Sequence, residues 1–325
     1  MVCISAIATH EAPSVERMGL RRALLTRRAN LGDCADARSV IHHMLSPAEM
    51  RYPVCVVPLP RRARGQASAA DLGVMVAQQA LSRAAALKAQ DVGGLVYCHA
   101  TPDERSSDST AGRLQHVLGL PNACAFSVSQ AHNTALLIAL DLAAGLVEGP
   151  ESAGAVLLVA SDKLVFGTPP HAARRMVWSD TAAAAVVTRQ ASAGWRLVHV
   201  TLRHFDTPLR AHEPWPPAAT EAFAQFGAEA IRACLAEAGL DPGRLAAVAS
   251  ASANAALAGQ VHERAGLGDL PVCAAAGARA AQASCADLLI RLAELERSVP
   301  AGQHVLAWSQ GDNGEFACAI LTRIG

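Results

Sequence analysis

Short apolar runs that end in small residues alternate along this chain with longer Ala/Leu-rich stretches, and that alternation constrains the fold more than any other feature. ISAIA, GGLVYCHA, ACAFSV and GAVLLVAS are too short and too continuously apolar for amphipathic helices, and they suit strands buried on both faces. Between them the spacing predicts helices from Ala69 to Lys88 and from Ser109 to Leu118, and a long one after His132. AAAAVVTR and WRLVHVTLRHF read as further strands. Beyond the loop HEPWPP the cycle restarts with a helix from Ala219 to Ala238, the strand LAAVASAS and a helix through Gln260. A helix from Gln282 to Leu295 and the strands HVLAWS and FACAILTR close it. The expected class is a layered α/β fold whose second half is a shortened echo of the first, without a residue-level repeat.

A chain of 325 residues that is 51% apolar and 17% charged can bury a large core, and its length suits two packed halves. Its formal net charge is zero and its basic residues are dispersed, which argues against nucleic acid or an anionic membrane as the main partner. The start MVCISAIATHEAPS lacks a basic segment leading into a long apolar run, and no later stretch gives 18 unbroken apolar residues, so a cytosolic location is expected. Nine cysteines without close spacing fit neither a disulfide framework nor a zinc site, and most are expected to be buried small hydrophobes.

Three places carry candidate chemistry. In FSVSQAHNTALLIALDLAAGL, His132 stands where a short strand meets a helix that is apolar almost all round. The segment GTPPHAARRMVW has the Pro, small and basic residues of a loop, and His171, Arg174 and Arg175 within it are candidate ligand contacts. RRALLTRR and PLPRRARG could line the entrance for a phosphate-bearing ligand, although loop arginines are more often simply solvated.

From Val96 onward, VYCHATPDERSSDSTAGRLQHVLGLPNACAFSVSQAH resembles the β-ketoacyl-acyl-carrier-protein synthase III family, and the likeness stays collinear through LLVASDKL, WSDTAAAAVV, LAAVASASANAALAGQVHERAGL and AGQHVLAWSQGDNGEFACAIL. It covers roughly residues 68 to 325; the first 67 do not align, and the family's nucleotide-contacting tryptophan and arginine have no counterpart there. The resemblance implies a thiolase-like fold, with two pseudo-repeated halves (1–190 and 191–325) in a five-layer αβαβα arrangement, usually dimeric. It also implies acyl-thioester chemistry, with acyl-CoA or the phosphopantetheine of an acyl carrier protein as substrate and no covalently bound cofactor.

The family's Cys-His-Asn triad does not carry over. Its nucleophilic cysteine falls on His132, or on Asn133 in the adjacent register; its histidine falls on Ala251, with the neighbouring Asn254 kept; its asparagine falls on Arg279, or on Ala278 in the adjacent register. In the family the cysteine takes up an acyl group at a helix N-terminus while the histidine and asparagine hold the second thioester's carbonyl. Without the thiol and those two donors, decarboxylative condensation is not expected. Cys98, Cys124 and Cys285 lie off the reactive position.

Two functions lead, ahead of a thioester-binding protein that acts without a partner. In one, His132 stays neutral at the positive end of a helix and acts as general base in direct acyl transfer to a hydroxyl, amine or thiol, with backbone N–H groups of the turn Gly311 to Gly314 binding the oxyanion and His99 assisting or only structural. In the other, the chain is a non-catalytic partner of a cysteine-bearing ketosynthase-like subunit. Arg279 suits either a filled tunnel or a pocket for a carboxylated acyl chain. A homodimer or heterodimer is expected.

Overall fold

The computed structural model describes residues 1–11, 18–19, 53–54, 67–101, 109–163, 177–178, 181–206, 216–252, 255–273, 281–282, 284–311 and 313–325. In chain order the strands are β1 (Val2–Glu11), β2 (Met18–Gly19), β3 (Pro53–Val54), β4 (Val92–Cys98), β5 (Cys124–Val128), β6 (Ala155–Asp162) and β7 (Val177–Trp178). They continue with β8 (Thr181–Thr188), β9 (Gly194–His204), β10 (Leu245–Ala251), β11 (Val272–Cys273), β12 (Ala281–Gln282), β13 (His304–Gln310) and β14 (Glu315–Ile324). The helices are α1 (Ala69–Arg83), α2 (Thr110–Val117), α3 (Ala135–Glu148), α4 (Pro217–Glu237), α5 (Ala255–Ala265) and α6 (Asp287–Leu295). No helix among the described residues is long and apolar enough to cross a membrane.

Ten strands hydrogen-bond in the order β11-β10-β13-β14-β9-β1-β8-β6-β4-β5. The order contains the same motif twice. β5, β4 and β6 are parallel, followed by antiparallel β8 and β1; β11, β10 and β13 are parallel, followed by antiparallel β14 and β9. The two sets meet where Val2, Cys3 and Ile4 pair with Leu197, Arg196 and Trp195.

Side-chain alternation sorts the core into layers. Along β6, Val156, Leu158 and Ala160 enter the middle core while Ala155, Leu157 and Val159 enter an outer one; β14 splits likewise into Ala317, Ala319 and Leu321 inward against Phe316, Cys318 and Ile320 outward. Burial on both faces explains why these strands are apolar throughout. Helices α1 and α2 cover the outside of the first set, α4 and α5 that of the second, and α3 and α6 lie between them. The result is five layers, αβαβα, the thiolase-like arrangement.

Local chemistry sets the boundaries. α1 starts on a reciprocal cap in which the Asp71 N–H donates to Ser68 Oγ (3.0 Å) and the Ser68 N–H to Asp71 Oδ2 (2.9 Å). It ends at Arg83 instead of reaching Lys88, because a separate 3₁₀ turn, Ala89–Asp91, forms there with the Lys88 N–H donating to Asp91. α6 starts five residues later than the spacing predicts, since Ala281 and Gln282 pair with Val177 and Trp178 and a 3₁₀ turn occupies Ser284–Ala286. α5 runs past Gln260 to Ala265, held by buried Leu257, Val261 and Ala265, and stops at Gly266, where φ is +76°.

Candidate active site at the entrance of the middle helices

The C-terminal ends of β6, β10 and β13 meet the turns that open the middle helices. Between β5 and α3 the chain makes a 3₁₀ turn, His132–Thr134. Gln130 and His132 have φ of +66° and +46°, the left-handed region that side chains other than glycine's rarely adopt. Such strain persists only where the surroundings over-determine it. Here the Ala131 carbonyl accepts from both the N–H and Oγ of Thr134 (3.1 and 2.6 Å), and the His132 carbonyl accepts from Cys285 Sγ (3.1 Å).

His132 is partly exposed and Asn133 is buried, its Nδ2 donating to the Ala251 carbonyl at 3.5 Å. Ala251 is itself buried, at the end of β10 and facing the middle core. The structure therefore brings His132, Asn133 and Ala251 together. Asn254, Arg279, His171, Arg174 and Arg175 lie outside the described residues.

His99 follows β4 with its ring stacked on Tyr97 (centroids 5.1 Å apart) and Nδ1 at 2.9 Å from the Thr101 carbonyl. A carbonyl only accepts, so Nδ1 carries the proton in this arrangement. Both contacts brace the end of β4.

In the glycine-rich turn, expected to offer N–H groups to an oxyanion, the Gly311 N–H donates to the Glu315 carbonyl (2.8 Å) and the Asn313 N–H to Glu315 Oε2 (3.0 Å), closing the β13–β14 hairpin. Gly311 matters through size: a Cβ there would sit 2.3 Å from Glu315 Oε2 and 3.1 Å from the Ala131 carbonyl, so the turn reaches the site only because no side chain intervenes. Gly314 takes φ of +100°, and its carbonyl accepts from the Phe205 N–H (2.9 Å).

Cys98, Cys124 and Cys285 offer no displaced nucleophile. The thiol of buried Cys98 is pushed far above its ordinary value by burial and by the nearby Asp162 carboxylate. Cys285 is buried and gives its hydrogen to the His132 carbonyl, while Cys124 opens β5 at the end away from the turn.

Sequence reasoning passed over Asp162, which closes the apolar run of β6. Its Oδ1 accepts from the Ala100 N–H (2.7 Å), the Thr101 N–H (2.8 Å) and Thr101 Oγ1 (3.0 Å), and its Oδ2 from the Cys285 N–H (3.0 Å). One buried carboxylate thus clamps the end of β4 to the 3₁₀ turn that opens α6. The available signal was the charge itself, since an acid at the end of a fully buried strand has to be hydrogen-bonded.

No protein-family model and no curated protein sequence matches the chain. Solved structures do. The acyltransferase ChlB3 superposes with a TM-score of 0.74 at 21% identity over 99% of this chain and 98% of that one. AbyA1, a tetronic acid condensing enzyme, gives 0.73 at 19% over 99% and 100%. The 3-oxoacyl-(acyl carrier protein) synthase III FabH of Pseudomonas aeruginosa PAO1 gives 0.71 at 18% over 99% and 98%. The likeness spans 99% of the chain and so extends beyond the part that sequence alone aligns; of the first 67 residues, β1 lies in the middle of the ten-strand order. The chain therefore has the thiolase-like fold of 3-oxoacyl-(acyl carrier protein) synthase III.

Proposed function

We propose that this protein transfers an acyl group from coenzyme A or an acyl carrier protein to a small nucleophile, in fatty-acid-like or polyketide-type biosynthesis, without a cysteine acyl-enzyme. The carrying observation is the left-handed backbone of His132 at the entrance of a buried helix, a strained conformation of the kind that clusters at functional sites. His132 takes the proton of a hydroxyl, amine or thiol as that atom attacks the thioester carbonyl. The tetrahedral intermediate collapses, the carbon–sulfur bond breaks, and the imidazolium returns the proton to the departing thiolate. From the sequence alone, Asn254 and Arg279 are assigned to the site, Arg279 as the partner for a carboxylated acyl chain, and His171, Arg174 and Arg175 as ligand contacts. ChlB3, an acyltransferase, offers a precedent for transfer on this fold.

The second reading is a non-catalytic partner that pairs with a cysteine-bearing ketosynthase III-like subunit, in place of a homodimer. Its support is the apolar, buried Ala251 where the family keeps a histidine.

Product analysis and intact-protein mass spectrometry with a panel of acyl-CoA and acyl-carrier-protein thioesters, with nucleophilic acceptors present, test the choice. The transferase reading expects turnover that His132→Ala abolishes without loss of folding. No turnover with any pair, together with co-purification of a cysteine-bearing homologue, leaves the partner subunit.

A further inference from the structure

Two buried serine hydroxyls in the second half have no hydrogen-bond partner among the described residues, Ser250 Oγ and Ser309 Oγ. A buried hydroxyl left unpaired forfeits its hydration with nothing in return, so each calls for an explanation. Their positions differ. On β10, Ala247, Ala249 and Ala251 face the middle core, which turns Ser250 outward. On β13, Val305 and Ala307 face the middle core while Leu306 and Trp308 face outward, so Ser309 points inward.

Ser309 is 0% exposed and pairs in register with Ala251 on the neighbouring strand. β13 packs against the His132–Thr134 turn. Two residues beyond Ser309, a Cβ on Gly311 would lie 3.1 Å from the Ala131 carbonyl, and Asn133 Nδ2 reaches the Ala251 carbonyl. Ser309, Ala251 and the strained turn thus bound one region. An alanine, like Ala307 one inward position earlier, would fill the place of Ser309 without an unpaired polar atom.

We propose that the Ser309 hydroxyl is the hydrogen-bond donor to the thioester carbonyl oxygen, serving from β13 in place of the donor that β10 lacks at Ala251. The inference rests on the acyl-thioester reading above. Ser309 Oγ–H donates to the carbonyl oxygen of the bound thioester, and the bond strengthens as that oxygen takes up negative charge during attack. Ser309 is then a catalytic residue, and the Gly311 N–H, taken by the Glu315 carbonyl, leaves it the place of an oxyanion donor.

The test compares wild type with Ser309→Ala and Ser309→Thr, using acetyl-, butyryl- and octanoyl-CoA labelled with carbon-13 at the carbonyl. Losing one oxyanion donor lowers kcat by about 100-fold. The expected result is that loss in Ser309→Ala with KM nearly unchanged and thermal stability equal or higher, partial retention in Ser309→Thr, and a bound-carbonyl infrared band at lower frequency in wild type than in Ser309→Ala. If wild type binds and turns over the thioesters while Ser309→Ala matches it in kcat and carbonyl frequency, this inference falls and the acyl-transfer reading stands. If no labelled thioester gives a bound band with wild type, both fall.

Discussion

Replacing Asp162 by asparagine keeps the shape of the side chain and removes its charge, which isolates what the carboxylate does. Asparagine's single acceptor oxygen can retain the three donors now on Oδ1, but its NH2 group must then face the Cys285 N–H, donor against donor. Hydrogen bonds to a charged group contribute about 1.5–3 kcal/mol against 0.5–1.5 for neutral ones, so three weakened bonds and one lost come to roughly 4.5–7.5 kcal/mol. The lighter desolvation of a buried amide offsets part of that, leaving on the order of 3 kcal/mol. With an unfolding entropy near 2.1 cal/mol/K per residue, 325 residues give about 0.7 kcal/mol/K, and the loss becomes a fall in Tm of about 4–5 °C. Differential scanning calorimetry on wild type and Asp162→Asn measures it, with Asp162→Ala falling further because every donor is then left without its acceptor. A Tm for Asp162→Asn within 1 °C of wild type would refute the clamp.

Gly194 has φ of +114° and sits where a Cβ would lie 2.2 Å from the Ile4 carbonyl, at the seam between the two strand sets. Gly194→Ala is expected to yield little folded protein, whereas Gly119→Ala, with φ of +63° and open space, costs only about 1 kcal/mol by thermal denaturation. Trp308 Nε1 donates to His262 Nε2 (2.8 Å), and burial pushes the His262 pKa below its ordinary value of 6.5. The unfolded chain therefore takes up a proton that the folded one refuses, so stability falls as pH drops through 6.5; urea titrations at pH 7 and 5 should show a smaller loss for His262→Gln. In α6, Arg291 Nη2 meets Asp287 Oδ1 at 2.9 Å with both side chains buried. Asp287→Ala should destabilise by about 3–5 kcal/mol in urea denaturation, since it strips a buried guanidinium of a partner.

Layering was legible from the sequence because strands buried on both faces have to be apolar without alternation, and β6 and β8 announce themselves as AVLLVAS and TAAAAVV. Helix ends were less so: Asp91 and the pairing of Gln282 with Trp178 are contacts that no hydrophobic period reports. At the site, the position of His132 was readable through collinear motifs, but its left-handed backbone was not, since nothing marks a histidine for positive φ. Asp162 was in plain view, yet its partners come from Ala100, Thr101 and Cys285, far along the chain. Gly311 was assigned to an oxyanion because glycine turns often present free N–H groups, and only the register of the β13–β14 hairpin shows this one engaged.

The duplicated topology accounts for how the strain at His132 is held. Each strand set sends a 3₁₀ turn into a middle helix, His132–Thr134 before α3 and Ser284–Ala286 before α6, and the two turns touch. The grip is reciprocal: Asp162 of the first set holds the Cys285 N–H, and Cys285 Sγ holds the His132 carbonyl. β13 packs against the same turn, and Gly311 just beyond it passes close to the Ala131 carbonyl. The left-handed conformation of His132 is therefore held from both directions, by the Thr134 hydrogen bonds to the Ala131 carbonyl within QAHNT and by Cys285 from the second half of the chain.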